Sequence, residues 1–136
     1  MQGLNTHIHF NGNCREAMQF YKDCLGAELN VLPFSETPCN APAELKDKVA
    51  HARLTKGTLM LLASDSPQQA VMQGNNFCVA VQCDSLEEIE KLFTAFSHRG
   101  KVIMPLQDMF WGARWGLLTD QFGINWMFNC ELPKKN

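Results

Sequence analysis

The chain has 136 residues, which is the length of one domain with a substantial core, and we predict a single domain at residues 1–136. Hydrophobic residues make up 46% and charged residues 19%, which excludes a disordered chain, and a formal net charge of -2 without an extended basic cluster argues against a nucleic-acid partner. No apolar run approaches the roughly 18 residues of a membrane span and no signal peptide is visible, so we predict a cytoplasmic protein with no membrane partner.

Six cysteines are scattered along the chain without a Cys-x-x-Cys spacing. We expect them to be reduced and mostly buried, as small hydrophobic residues. A nucleophilic cysteine is the alternative, and Cys14 is the candidate because Arg15 lies beside it. The full set is Cys14, Cys24, Cys39, Cys78, Cys83 and Cys130.

The first element is a strand at residues 4–10, where apolar and polar side chains alternate. A period of two places Leu4, Ile8 and Phe10 on a face toward the core. The opposite, polar face then carries His7 and His9.

A helix is predicted to follow at residues 14–25. Asn13 and Glu16 have the spacing of a reciprocal cap at the start of a helix, and Gly26 is placed to end it. The apolar positions recur at helical spacing. They are Cys14, Ala17, Met18, Tyr21 and Leu25.

Three further strands are predicted in the first half, at residues 28–34, 49–56 and 58–64. A tight turn at Lys56 and Gly57 joins the last two. Residues 33–50 contain three prolines and mixed charge, which predicts a long irregular connection of the kind that often serves as a lid or flexible segment.

Alternation along residues 49–56 places His51, Arg53 and Thr55 on one face of that strand. The polar, turn-rich stretch at residues 66–75 then predicts a linker between two halves. The halves are predicted at about 1–66 and 75–136.

The second half repeats the order of the first. Residues 77–83 read as a strand, Ser85 and Glu88 as a helix cap, Gly100 as the end of the helix, and residues 102–109 as a strand. The apolar stripe of the helix consists of Leu86, Ile89, Leu92, Phe93 and Phe96. With the hairpin that follows, each half becomes a βαβββ unit.

The closing stretch, residues 110–128, contains all three tryptophans and is predicted to form a β-hairpin. Its turn lies at residues 119–123, where Asp120 can start a turn with its side chain and Gly123 can adopt a positive φ. Glycines two positions away on either side leave Arg114 uncovered on its own face. It can therefore project into open space toward a ligand or, alternatively, lie over tryptophan rings as a surface arginine.

Two separated segments carry a resemblance to a known family. The first reads Phe-Asn-Gly-Asn-Cys-Arg-Glu-Ala at residues 10–17 and continues to residues 20–21 and 25–26. The second reads Trp-Gly-Ala-Arg-Trp-Gly at residues 111–116 and Thr-Asp-Gln-Phe-Gly-Ile-Asn-Trp at residues 119–126. The chain resembles PhnB-like proteins of the vicinal oxygen chelate superfamily, which includes glyoxalase I, bleomycin-resistance proteins and extradiol dioxygenases. The resemblance implies an α+β fold of two βαβββ modules forming curved mixed sheets around a cleft, and a homodimer.

The metal enzymes of that superfamily place His or Glu ligands on the first and last strands of each module. Here the first strand offers His7 or His9, whereas the corresponding later positions, residues 59–62, 76–78 and 126–128, contain no carboxylate. Two histidines and a Met-rich remainder are a poor ligand set for a divalent cation. We therefore predict no four-ligand metal site and no cofactor.

The first function hypothesis is a binding protein of the bleomycin-resistance type, which holds a small, partly aromatic or anionic ligand by tryptophan stacking and an arginine or histidine. The alternative is a metal-dependent or histidine-based lyase, isomerase or dioxygenase-type enzyme on a small carbonyl or phosphonate-related substrate, with His7 or His9 as general base. A third interpretation makes these histidines ordinary hydrogen-bonded residues of a cleft or subunit interface. The candidate ligand-binding residues are His7, His9, His51, Arg53, Gln107, Trp111, Arg114 and Met127.

Overall fold

A computed structural model of the chain describes residues 1–66 and 70–134. It separates into two compact units, Met1–Met72 and Gln73–Asn136, which we call unit 1 and unit 2. Residues 67–69, part of the predicted linker, lie outside the described residues. No helix in the described ranges is long and apolar enough to cross a membrane.

Unit 1 consists of one helix and a four-stranded mixed sheet. The strand order is β1-β4-β3-β2, with β1 parallel to β4 and the other neighbours antiparallel. The predicted irregular connection contains two single turns of 3₁₀ helix, Phe34–Glu36 and Ala43–Leu45. The elements are β1 (Thr6–Phe10), α1 (Cys14–Leu25), β2 (Glu28–Pro33), β3 (Val49–Lys56) and β4 (Leu59–Asp65).

Unit 2 has the same order of elements and the same sheet topology. Its strands lie in the order β5-β8-β7-β6, with β5 parallel to β8 and the other neighbours antiparallel. The predicted α+β class with two βαβββ modules is therefore confirmed. The elements are β5 (Val79–Gln82), α2 (Leu86–Phe96), β6 (Lys101–Met109), β7 (Ala113–Thr119) and β8 (Asn125–Glu131).

Each helix covers one face of its own sheet, as the apolar spacing predicts. Met18 and Tyr21 of α1 are fully buried in unit 1. In unit 2 the Phe96 ring of α2 lies 4.6 Å from the Trp126 ring and 5.3 Å from the Phe128 ring, measured between centroids. Because side chains alternate along a strand, the residues between these core positions point to the face that the helix does not cover. We call this the open face of each unit.

The start of α1 is capped differently from the prediction. Asn13 makes no side-chain capping hydrogen bond. Instead, Asp65 at the end of β4 accepts hydrogen bonds at Oδ1 from the backbone N–H of Gly12 (2.8 Å) and of Cys14 (3.0 Å). Since β4 runs parallel to β1, its last residue lies beside the turn that leads from β1 into α1. A carboxylate held there supplies the acceptor that the cap of a helix requires.

The predicted cap of α2 is confirmed. The Ser85 hydroxyl accepts a hydrogen bond from the Glu88 backbone N–H at 3.1 Å, and Glu88 Oε1 accepts one from the Asp84 backbone N–H at 2.9 Å. Two amides that have no partner within the helix are thereby satisfied.

Gly100 does not end α2 as predicted. The helix ends at Phe96, and the left-handed residue beyond it is Arg99, with φ of 58°. A Cβ at Gly100 would lie 2.5 Å from the Thr119 carbonyl oxygen, so glycine is required there by close backbone approach. Gly26 does end α1 in the left-handed conformation, with φ of 64°.

All six cysteines are free, as predicted, but only Cys14, Cys83 and Cys130 are buried. Burial and the neighbouring Asp65 carboxylate raise the pKa of the Cys14 thiol to about 12. A thiolate is the nucleophilic form of cysteine, and its formation at Cys14 is disfavoured by this burial.

Candidate functional site

A row of polar residues crosses the open face of unit 1. His7 on β1 is paired in register with Leu62 on β4, Leu62 with Arg53 on β3, and Arg53 with Asn30 on β2. Residues that are directly opposite each other on paired strands share a face of the sheet. The strand alternation predicted for His7 and Arg53 therefore places both on one surface.

Three histidines lie close together on this face. The His7 ring is 4.8 Å from the His9 ring and 6.2 Å from the His51 ring, between centroids. Ser64 Oγ is within hydrogen-bonding distance of His7 Nε2, at 2.9 Å, and of His9 Nδ1, at 3.4 Å. Ser64 is only 9% exposed and was missed by the sequence analysis, although it occupies the alternate position after Leu62 on β4.

The pKa of His7 is lowered from the ordinary value, first by burial and then by repulsion from His9 and His51. Its neutral form is therefore favoured near neutral pH. A general base must be neutral, but Nε2 of this ring already contacts Ser64, and no described carboxylate forms a hydrogen bond or ion pair with it.

His7 should make stability depend on pH. Because its folded pKa lies below the ordinary 6.5, the unfolded chain binds more protons, and the free energy of unfolding decreases as the pH falls through that value. The loss is complete below the folded pKa and absent well above 6.5. We expect His7→Gln to flatten this decrease, measured by urea unfolding across the acidic range. An equally steep decrease in the variant would contradict the assignment, and His98→Gln in unit 2 is the matched control.

A shallow hollow lies on the same face of unit 1, with a volume of about 240 Å³. It brings together two of the predicted ligand-binding residues, His51 and Arg53. Its lining consists of Asn30, Val31, Leu32, His51 and Arg53.

A larger hollow, of about 370 Å³, lies on the open face of unit 2; we call it the aromatic hollow. The rings of Trp111 and Trp115 meet edge to face, 6.5 Å apart at their centroids. The Asn129 side-chain amide donates a hydrogen bond to Gln82 Oε1 at 3.0 Å. The lining consists of Ala80, Val81, Gln82, Trp111, Trp115, Met127 and Asn129.

The sequence analysis predicted two residues of the aromatic hollow, Trp111 and Met127, and missed two others that line it, Trp115 and Asn129. Trp115 was missed because the sequence analysis assigned the open face of β7 to Arg114, one position away. Asn129 follows Met127 at the next alternate position of β8, which was the available signal. Gln107, also predicted, is paired in register with Trp115 and shares its face, but it does not line the hollow.

Arg114 lies apart from the aromatic hollow. Its Nε donates to Asp108 Oδ1 at 2.8 Å and its Nη1 to Glu90 Oε1 at 3.0 Å, and Glu90 belongs to α2. The expectation of an uncovered face is wrong, because a Cβ at Gly116 would lie 2.7 Å from the Phe93 ring of α2. The glycine admits the helix side chain rather than a ligand. The hydrogen bond from Arg114 also lowers the pKa of Asp108.

The described side chains are a poor match to a metal centre. Within residues 1–66 and 70–134, no group of three or more His, Cys, Asp and Glu side chains is arranged to hold a metal ion. The three clustered histidines have no carboxylate among them, and one imidazole nitrogen of His7 already faces Ser64.

Comparison with known proteins places this architecture in a family. Residues 4–128 match the model of the Glyoxalase/Bleomycin resistance protein/Dioxygenase superfamily. Protein YjdN of Escherichia coli (strain K12) is 29% identical over 137 aligned positions, which cover 93% of each chain.

Two solved structures are similar along nearly the whole chain. Protein PA1353 from Pseudomonas aeruginosa is 42% identical with a TM-score of 0.85, over 96% of this chain and 100% of the other. The PhnB protein from Bacillus cereus is 25% identical with a TM-score of 0.79, over 95% of this chain and 99% of the other. The resemblance to PhnB-like proteins is thereby confirmed. The chain belongs to the Glyoxalase/Bleomycin resistance protein/Dioxygenase superfamily.

Proposed function

We propose that this chain is a PhnB-like protein that binds a small molecule in the aromatic hollow of unit 2, without a four-ligand metal site. The observation that carries the proposal is the hollow itself, about 370 Å³ and lined by two tryptophans, a methionine and a pair of amides. Small-molecule sites have volumes of roughly 300–1,000 Å³ and combine apolar walls with a few placed polar groups.

The lining favours a ligand with a flat, apolar part. Trp111 is 51% exposed and the plane of the Trp115 ring lies at 74° to that of Trp111, so a planar group can contact one ring face and one ring edge. Met127 adds a polarisable thioether that adapts to the shape of the ligand. The hydrogen bond between Asn129 and Gln82 uses one donor and one acceptor and leaves another of each for the ligand.

A thermal-shift screen tests the proposal with a panel of aromatic metabolites and antibiotics, each with and without divalent metal salts. Ligand binding to the folded state raises the unfolding temperature by mass action. We expect stabilisation by an aromatic compound that does not require a metal. Stabilisation by a metal alone would instead support the alternative of a metal-dependent enzyme.

Trp115→Ala is expected to weaken binding of the stabilising compound about tenfold or more, since it removes one aromatic wall of the hollow. Fluorescence or calorimetric titration measures the change in the dissociation constant. Phe77→Ala is the matched control, because Phe77 is an exposed aromatic residue of unit 2 that does not line the hollow. Unchanged affinity in the Trp115 variant would refute this site.

The histidine-based alternative has weaker support. A base needs a partner that orients its ring, and the hydrogen-bond partner of both His7 and His9 is the Ser64 hydroxyl rather than a carboxylate. The third interpretation, structural hydrogen-bonded histidines, accounts for the Ser64 contacts of His7 and His9. It does not account for Arg53 on the same open face, which forms no ion pair among the described residues.

The proposal includes a homodimer, as the family resemblance implies, and a cytoplasmic location, as the sequence without a visible signal peptide predicts. In its support, β6 is an edge strand of the unit 2 sheet, and three consecutive apolar residues on it, Val102, Ile103 and Met104, are between 39% and 44% exposed. An exposed apolar edge is a surface on which a second copy can pair. Light scattering in solution distinguishes one copy from two.

A further inference from the structure

The open face of unit 1 carries one arginine, Arg53. Arg53 is exposed, and among the described residues it forms no ion pair, since both ion pairs within 4.0 Å belong to Arg114 in unit 2. Glu28 is the carboxylate on the same face of β2, and it is paired in register with Thr55, one alternate position beyond Arg53. It does not come within ion-pairing distance. An arginine left free beside a concave surface is a candidate for recognition of an anion.

The neighbours of Arg53 are hydrogen-bonding groups of the kinds that bind anions. The side chain of Asn30 is directly opposite Arg53 in the register, and His51 occupies the preceding alternate position on β3. His7 lies beside His51, with the ring centroids 6.2 Å apart. An amide NH₂, an imidazole N–H and the five N–H groups of a guanidinium are all donors.

The size of this hollow indicates a chemical group rather than a whole ligand. At about 240 Å³ it is smaller than the roughly 300 Å³ at which complete small-molecule sites begin. A compact anionic group fits such a space. The planar guanidinium can bind two oxygens of the anion side by side, and the remaining donors can reach a third.

We propose that the hollow formed by Asn30, Leu32, His51 and Arg53 is a subsite for a small tetrahedral oxyanion, such as the phosphate, phosphonate or sulfate group of a ligand. Arg53 supplies the charge and the two-pronged hydrogen bond, and His51 and Asn30 supply further donors. The subsite rests on the residues of unit 1 alone, so it stands independently of the aromatic hollow.

Titration of the isotopically labelled full chain with sodium sulfate tests the subsite, with sodium chloride at the same ionic strength as the reference. Sulfate is a tetrahedral dianion at every pH at which the protein is studied, so it reports on the protein groups alone. We expect saturable shifts of the backbone NMR signals of β2 and β3, centred on Asn30, His51 and Arg53, with millimolar affinity. Sodium acetate should bind more weakly, because it is planar and singly charged.

Arg53→Gln is expected to raise the dissociation constant for sulfate about tenfold, since it removes a charge-assisted pair of hydrogen bonds. Arg15→Gln is the matched control: it makes the same change of charge on the exposed surface of α1, and sulfate binding should be unchanged. His51→Gln should weaken sulfate binding to a smaller extent, which provides a second test.

Three results would overturn the proposal. They are chloride shifts equal to the sulfate shifts, acetate binding as tight as sulfate binding, and undiminished sulfate affinity in folded Arg53→Gln protein. The same NMR spectra show whether each variant is folded.

Discussion

Replacing Asp65 by alanine is expected to lower the free energy of unfolding by roughly 3–5 kcal/mol. The Asp65 side chain is 2% exposed and accepts three backbone hydrogen bonds, two at Oδ1 from Gly12 and Cys14 and one at Oδ2 from Val49 at 2.9 Å. Alanine leaves these three backbone amides without the Asp65 acceptor. The hydrogen bonds of Cys14 and Val49 are buried, and each unsatisfied buried group costs about 1–3 kcal/mol. Urea unfolding followed by circular dichroism measures the loss.

Two variants make the Asp65 prediction specific. Asp65→Asn retains an acceptor oxygen but turns an amide N–H toward one of the backbone donors, so its loss of stability should be smaller than that of alanine but still clear. Asp23→Ala removes an exposed carboxylate of α1 that accepts a hydrogen bond from the side chain of Gln19, and it should change stability little. Equal stability of the Asp23 and Asp65 alanine variants would contradict the structural role.

The consequence of Asp65→Ala for the open face of unit 1 is indirect. Asp65 joins the end of β4 to the start of α1 and to the start of β3. Ser64, which contacts His7 and His9, is its immediate neighbour in β4, and His51 lies two residues after Val49 in β3. We therefore expect this variant to weaken the sulfate subsite together with the fold, whereas Arg53→Gln should affect the subsite alone.

Asp120→Ala should be the corresponding large change in unit 2, with a loss of roughly 2–4 kcal/mol in the free energy of unfolding. Asp120 is 4% exposed, and its Oδ1 accepts from the backbone N–H of Phe122 (2.8 Å) and Ile124 (3.0 Å). Its Oδ2 accepts from the indole Nε1 of Trp126 at 2.9 Å. Alanine removes the acceptor for a buried indole N–H and loosens the turn between β7 and β8.

Denaturant unfolding followed by tryptophan fluorescence measures the effect of Asp120→Ala, because Trp126 is 2% exposed and should become more accessible in the variant. Asp108→Ala is the control. It breaks the exposed ion pair with Arg114, which lies on the same sheet, and an exposed pair contributes much less than a buried carboxylate. A loss for Asp108→Ala as large as that for Asp120→Ala would show that burial is not the deciding factor.

Asp120 also bears on the aromatic hollow. The turn that it holds connects β7, which carries Trp115, to β8, which carries Met127 and Asn129. If the register of these two strands depends on Asp120, the alanine variant should lose affinity for the ligand as well as stability. Both units therefore use a buried carboxylate, bonded to backbone amides, next to the residues of the open face.

Short-range sequence patterns were sufficient to predict the secondary-structure elements of the fold. The apolar spacing of residues 14–25 and 86–96 predicted two helices, and both bury most of the predicted side chains, whereas Leu25, Leu86 and Leu92 are only partly buried. The cap formed by Ser85 and Glu88 and the turn at Asp120 were also correct, since their hydrogen bonds join residues within four positions of each other. Such short-range chemistry is read directly from neighbouring residues.

The errors arose where a partner lies far away along the chain. Asn13 has the right spacing to cap α1, but Asp65, which is 51 residues from Cys14, takes that role. Alternation also assigns Arg114 and Trp115 to opposite faces without indicating which face the helix covers. Only the packing of Phe93 against Gly116 decides that Arg114 lies on the helix side and Trp115 in the aromatic hollow.

The sequence by itself determined the family, the duplicated βαβββ order and the strands that carry histidines and tryptophans, because these depend on periodicity and on motifs within short segments. The tertiary structure alone decided which side chains share a surface. It placed Ser64 between His7 and His9, left Arg53 without an ion pair in the part of the chain that the structure describes, and paired Arg114 with two carboxylates. These contacts depend on strand register and on helix packing, which are long-range properties that no local pattern contains.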